Sequence, residues 1–364
     1  MKVARSARPH SLAISFATEH DSAGNAPVWI FSRTVDLSAF LGSAIVSALL
    51  LAYGWWQGLL TQDAPEWTWV TGVLLVDVAH VYATAFRVYF IPAELRRRPW
   101  LFLLTPALAF LLGWAVASES EPVFWRCLAY LAVFHFVRQQ VGWVAWYRRR
   151  AKDSPHSAWL DYAAIYLATI YPLVYWHAHL PRQFWWFVSD DFFQVPAALA
   201  QILFPLYAAV MTVYAVRAAI QWLRGNFRDL GKDIVVGTTA ACWYLGIVAL
   251  NSDYAFTVTN VLIHGIPYLC LTFWYSRAAG EPRWLSGSLF RAGVLFVATV
   301  WLLAYVEELF WNRAIWQEHL TWFGPAIDIG AYRPALVAVL AVPQVTHYVL
   351  DGFLWRRGEM SREI

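Results

Sequence analysis

Residues 67–91 read WTWVTGVLLVDVAHVYATAFRVYFI. Apart from Asp77, His80 and Arg87 the stretch is apolar, small or weakly polar. It is long enough to cross a bilayer core of about 30 Å, which takes roughly 20 helical residues. A soluble core helix can also be this apolar, so composition has to decide. The chain has 364 residues, 60% of them hydrophobic and 14% charged, where soluble domains carry about 25% charged residues. In water such a chain leaves large apolar patches exposed; in lipid that outside is the correct one. The 23 Trp and 18 Tyr suit the boundary between headgroups and acyl chains. The expected fold is therefore an all-α, polytopic integral membrane bundle.

Comparable stretches lie on either side of 67–91. About ten spans are expected, near 38–60, 67–91, 100–118, 122–147, 158–180, 195–222, 233–250, 254–275, 287–310 and 334–355. Lys and Arg give the orientation, because they concentrate in cytoplasmic loops. Arg96, Arg97 and Arg98 follow the second expected span, Arg148, Arg149, Arg150 and Lys152 the fourth, and Arg224, Arg228 and Lys232 the sixth. The alternate loops hold only Arg182, Arg313 and Arg333, and they are otherwise acidic. Both termini are thus expected in the cytoplasm, with a tail at 1–30, a transmembrane domain at 31–356 and a second tail at 357–364. Residues 1–30 lack the apolar run of a signal peptide. The expected location is a bacterial inner (cytoplasmic) membrane. Two outer stretches rich in Trp, 311–333 and 182–193, are expected to lie flat on the membrane. Cys127, Cys242 and Cys270 form no metal-binding spacing.

Polar groups deep in a bilayer cost about 2.5–3.5 kcal/mol each by insertion scales, and four histidines need a reason. His80 follows Glu66 by 14 residues, His135 follows Glu121 by 14, His264 follows Asp253 by 11, and His347 follows Arg333 by 14. All four spans are expected to run from outside to inside. A three-residue difference is about 4.5 Å of depth, so four imidazoles should share one plane. A single intramembrane histidine is more often a bond between helices; four at one depth point to a shared site.

Each histidine has companions on its own helical face. Asp77, His80, Thr84 and Arg87 form one stripe, and Gln344, His347 and Asp351 another. Gln139 follows His135 by four residues and Asn260 precedes His264 by four. Imidazole is the commonest metal ligand, and its second nitrogen usually leans on a carboxylate or amide. His80, His135, His264 and His347 are therefore the expected metal ligands. Asp77 is expected to support His80, and Asp351 to support His347 or to pair with Arg356. Arg138 is expected to pair with Asp77 or Asp351 and is grouped with them as catalytic. Gln139, Asn260, Gln344 and Arg87 are expected to back the ligands or meet substrate, Arg87 by reaching the inner interface or an anionic headgroup. Glu307 and Glu308 are expected to face water at the outer end of their helix, and His177 and His179 to be interfacial.

A thiolate-free imidazole set suits iron, zinc, copper or nickel. Non-haem iron is the expected cofactor, since apolar substrates usually need oxygen chemistry to be functionalised; zinc and haem stay open. Taken together, FHFVRQQVGW at 134–143, DVAHVYATAFR at 77–87, IHGIPY at 263–268 and THYVLDGFLW at 346–355 resemble a style of site. It is that of the microbial membrane β-carotene 15,15′-dioxygenases and of the fatty acid desaturase and hydroxylase superfamily. The resemblance implies an iron-dependent oxygenase acting on a lipid or isoprenoid, with an electron donor as a possible partner. Alternatives from other classes are a zinc-dependent lipid hydrolase, a membrane cytochrome, and a non-enzymatic transporter or scaffold. The sequence leaves the oligomeric state open and carries no nucleic-acid-binding module.

Overall fold

The computed structural model describes residues 24–279 and 282–355, and among these all regular structure is helical. In chain order the long helices are α1 (Arg33–Gln57), α2 (Glu66–Phe86) and α3 (Pro99–Glu119), then α4 (Glu121–Ala151) and α5 (Ala158–Ala178). They continue with α6 (Ala197–Leu223) and α7 (Leu230–Trp243, prolonged by Tyr244–Ala249). The last three are α8 (Asp253–Ala278), α9 (Leu289–Trp316) and α10 (Gly330–Leu354). Seven of them, α1, α2, α3, α6, α8, α9 and α10, are long and apolar enough to cross a membrane. The chain is thus an integral membrane protein of the all-α class. The tail at 357–364 and residues 1–23 of the expected N-terminal tail lie outside the described residues.

Local chemistry sets the helix ends. Proline opens α3 at Pro99 and stands in the first turn of α4 at Pro122, where its missing N–H is no loss. Ser288 accepts from the Arg291 N–H to cap α9, and Gly58 closes α1 at φ 76°, a conformation glycine adopts without penalty.

Burial separates centre from rim. Of the apolar window of α8, 78% is buried, against 11% for α3 and 17% for α6. α8 is therefore the axis, while α3 and α6 turn most of their surface to lipid. α2 packs on α8, α9 and α10, and α4 touches both α8 and α10. Small residues let α2 and α8 close. A Cβ on Gly265 would stand 2.6 Å from Val76 Cγ1, and one on Gly72 would stand 2.7 Å from Thr257 Cγ2. In lipid such close backbone contact is a main source of helix association.

Both outer stretches depart from the expected flat helices. Residues 311–316 continue α9 through a wide π-type turn, and only Leu320–Phe323 beyond them forms a further α-helical turn. Residues 182–193 form no helix. Instead the Asp191 carboxylate accepts from the N–H groups of Trp186 and Phe187 at 2.8 Å each, and Phe184 and Phe192 are buried beneath the loop. Burial pushes the Asp191 carboxyl above its ordinary range, against the pull of those N–H donors.

At the opposite end of the bundle, Asp161 of α5 is fully buried among three cations. It accepts from Arg148 of α4, from Arg217 of α6 at 2.7 Å and from Lys232 of α7 at 3.0 Å. Lys232 also reaches Asp153 at 2.8 Å. One carboxylate thereby ties four helices together.

Candidate metal centre

α2, α4, α8 and α10 each deliver one imidazole to a single buried cluster, in which His80, His135 and His264 form the close trio and His347 joins through His135. His80, His135, His264 and His347 are all at least 98% buried. Their rings form a closed loop, with centroid distances of 4.7 Å for His80–His264, 5.1 Å for His135–His264, 4.5 Å for His135–His347 and 4.8 Å for His80–His347. His80 and His135 face each other across a diagonal at 6.2 Å. The Nε2 atoms point inward, 3.1 Å apart for His80 and His264 and 3.0 Å apart for His135 and His347. Metal-ligating atoms of His80, His135 and His264 all lie within 4.8 Å of one another.

Backbone form helps to set this aim. Wide π-type turns at Trp69–Val78 and Thr257–Val261 precede His80 and His264, and such turns recur at functional sites because they re-phase the side chains that follow. Pro343 stands one turn before His347; without an N–H it removes one bond of the helical ladder.

Three of the outward nitrogens have polar neighbours. His80 Nδ1 contacts the backbone carbonyl of Asp77 and stands 3.6 Å from its carboxylate. His347 Nδ1 is 2.7 Å from Thr84 Oγ1. His135 Nδ1 is 3.5 Å from Asp351 Oδ2. An acceptor at Nδ1, as the Asp77 carbonyl is for His80, favours the tautomer whose Nε2 carries a lone pair; the Thr84 hydroxyl can serve His347 as donor or acceptor. Lone pairs meeting head-on at 3.0–3.1 Å repel unless a proton or cation lies between them. Two ligands about 2.1 Å from one ion and at right angles to each other also stand about 3.0 Å apart. The residues present therefore fit a metal ion.

Aromatic rings seal the loop. Phe136 stacks on His264 with centroids 3.4 Å apart, Tyr348 on His135 at 4.9 Å, and Tyr268 stands edge-on to His347 at 4.9 Å. The Tyr268 hydroxyl lies 3.2 Å from Thr84 Oγ1. His264 differs from the other three, because its Nδ1 is buried with no hydrogen-bond partner.

The supporting residues fall partly where expected. Asp77 backs His80, and Gln139 donates to the backbone carbonyl of His264 at 2.8 Å. Asp351 faces His135 on α4 and not His347 on its own helix, because the i+4 turn between them carries it across the interface; its pairing with Arg356 lies outside the described residues. Arg138 is exposed and donates to Tyr166 OH at 2.7 Å, so it pairs with neither Asp77 nor Asp351. Asn260 donates to Thr259 Oγ1 at 3.0 Å and not to His264. Gln344 donates to Glu307 Oε1 at 3.4 Å. Arg87 is fully buried and not exposed to water, 3.2 Å from Glu94 and 4.0 Å above the Tyr275 ring. His177 rests 3.2 Å from Tyr130 OH, and His179 is exposed.

Glu307 and Glu308 correct a further expectation. They are buried, not facing water, because α9 runs on to Trp316. Glu307 accepts from Trp311 at 2.9 Å and Glu308 from Asn312 at 2.9 Å. Sequence reasoning also missed Phe136, Tyr268 and Tyr348, each adjacent to a histidine or one turn from it, as part of the site. A cavity of about 800 Å³ runs from the acidic loops that carry Asp63, Glu66, Asp253 and Glu318 down to Asp77, Glu308 and Tyr348, beside the imidazole cluster.

No protein-family model, curated protein or solved structure matches the chain.

Proposed function

We propose that the chain is a membrane-embedded, metal-dependent enzyme of the non-haem iron oxygenase or desaturase type, acting on a lipid or isoprenoid. The observation that carries this reading is the convergence of four buried Nε2 atoms, two pairs at 3.0 and 3.1 Å, next to a ligand-sized cavity. His80, His135, His264 and His347 would hold the ion, which when bound supplies oxygen activation in a site lacking thiolates. Asp77, Thr84 and Asp351 hold the imidazoles in the tautomer that binds metal. Phe136, Tyr268 and Tyr348 keep the ring of nitrogens dry. An iron enzyme of this type would draw on an outside electron donor.

The reading includes the topology. α4, α5 and α7 join the seven helices that are long and apolar enough to cross, giving ten spans with both termini on the cytoplasmic side of a bacterial inner membrane. The Lys and Arg loops support that orientation.

Elemental analysis and an absorption spectrum of the detergent-purified protein test the chemistry. Iron near one equivalent without a Soret band supports the reading. Zinc instead, with turnover in the absence of oxygen, selects the lipid hydrolase. A Soret band selects the cytochrome, although Nε2 pairs 3.0–3.1 Å apart leave no room for a porphyrin plane between them. No metal at all removes the proposal.

A further inference from the structure

The cavity above the imidazoles is lined by Asp63, Glu66, Asp77, Asp253, Glu308 and Glu318, and no Lys or Arg is among its lining residues. Its one histidine, His319, lies 3.4 Å from Glu66. Six carboxyl groups with no Lys or Arg among them can contribute charge of one sign only, which the low-dielectric walls focus.

The floor adds a second, independent sign. Gln344 and Asn312 line the cavity and are 9% and 1% exposed. Their amide nitrogens are committed to Glu307 and Glu308. Their amide oxygens, Gln344 Oε1 and Asn312 Oδ1, have no donor. Buried acceptors without donors are costly, and a ligand bearing N–H groups or positive charge would satisfy them. Asp77 keeps 29% of its side-chain surface open even though His80 behind it is buried.

Size and walls narrow the ligand. Among the described residues His80, His135 and His264 are the only group of three whose ligating atoms gather this closely, so the floor carboxylates do not close as a trio on a bare ion. Trp69, Trp186, Trp311 and Tyr348 also line the space. Aromatic faces with carboxylates between them hold an organic cation.

We propose that this cavity binds an organic ammonium compound with an apolar body, entering from the side of the acidic loops, its nitrogen drawn to the floor formed by Asp77, Glu308, Asn312 and Gln344. That the bound cation is also the molecule acted on rests on the metal-enzyme reading above; that the cavity selects a cation does not.

The test uses the full chain in lipid nanodiscs and three probes of one shape: 4-phenylbutylamine, 4-phenylbutanol and 4-phenylbutyrate. Calorimetry and tryptophan fluorescence measure binding. The amine should bind roughly tenfold more tightly than the alcohol, and more tightly still than the carboxylate. Glu308→Gln should remove most of that preference. Equal binding of amine and alcohol, stronger binding of the carboxylate, or an amine preference untouched by Glu308→Gln would overturn the proposal. So would millimolar magnesium or manganese binding with no amine preference, which would assign the floor to a bare ion. Should Glu308→Gln fail to yield folded protein, the ranking of the three probes on the unaltered chain decides. Metal content is read on the same samples, so amine binding without metal, or metal without amine binding, shows which of the two readings has failed.

Discussion

Thr84 Oγ1 lies 2.7 Å from His347 Nδ1, joining α2 to α10 by one buried hydrogen bond. The threonine belongs to the stripe that carries His80, so a single helix face supplies one imidazole and orients another. Thr84→Val keeps the shape and removes the hydroxyl that bonds His347. Metal affinity should fall by about 10–100-fold, as for other outer supports of histidine ligands. Competition with a metal-chelating dye measures it; unchanged affinity would mean that His347 needs no partner at Nδ1.

Arg138 makes the opposite prediction. It faces outward and bonds Tyr166, so Arg138→Ala should keep full metal content, whereas Asp351→Ala, removing the neighbour of His135, should lower it. Elemental analysis of both variants tests the difference between the two sides of α4.

Close contact of α2 with α8 is the third testable feature. Gly265→Ala would place a methyl group 2.6 Å from Val76 Cγ1 and 3.1 Å from the Val76 carbonyl oxygen. Overpacking of this kind costs about 1–3 kcal/mol, and here it also pushes His264 away from His80. Gly142→Ala, on a helix face with nothing within 4 Å, should be neutral or stabilising by about 0.5–1 kcal/mol. Thermal unfolding in detergent, with metal content in parallel, separates the pair.

Asp161 provides a prediction about stability alone. Removing it leaves Arg148, Arg217 and Lys232 gathered around a lost partner. Breaking a buried ion pair costs about 3–5 kcal/mol. Asp161→Ala should therefore lower the unfolding temperature sharply, while any folded fraction keeps its metal, because the ion network and the imidazoles sit apart in the bundle.

Much of this was legible from residue spacing. Apolar length placed the helices, and counting residues from the outer loops put His80, His135, His264 and His347 at one depth. Helical period could not decide between Arg138 and Gln139, which follow His135 by three and four residues and diverge to either side of it. The packing of α4 on α8 settled that, turning Gln139 inward and Arg138 out. Glu307 and Glu308 were misplaced because Trp-rich 311–316 reads as an interfacial stretch. Once that segment extends α9, the two carboxyls lie more than a turn further inside. Asp351 was assigned to its own helix since a sequence shows only same-helix neighbours, while the nearer imidazole belongs to α4.

His264 is the corner of the imidazole loop whose outer nitrogen has no hydrogen-bond partner; apart from its neighbouring imidazoles it is steered by the flat face of Phe136. A stacked ring restrains tilt but resists in-plane turning weakly, whereas a hydrogen bond resists both. The nest of nitrogens thus has three anchored walls and one swivel. Any change in how many of them face inward is cheapest at that position.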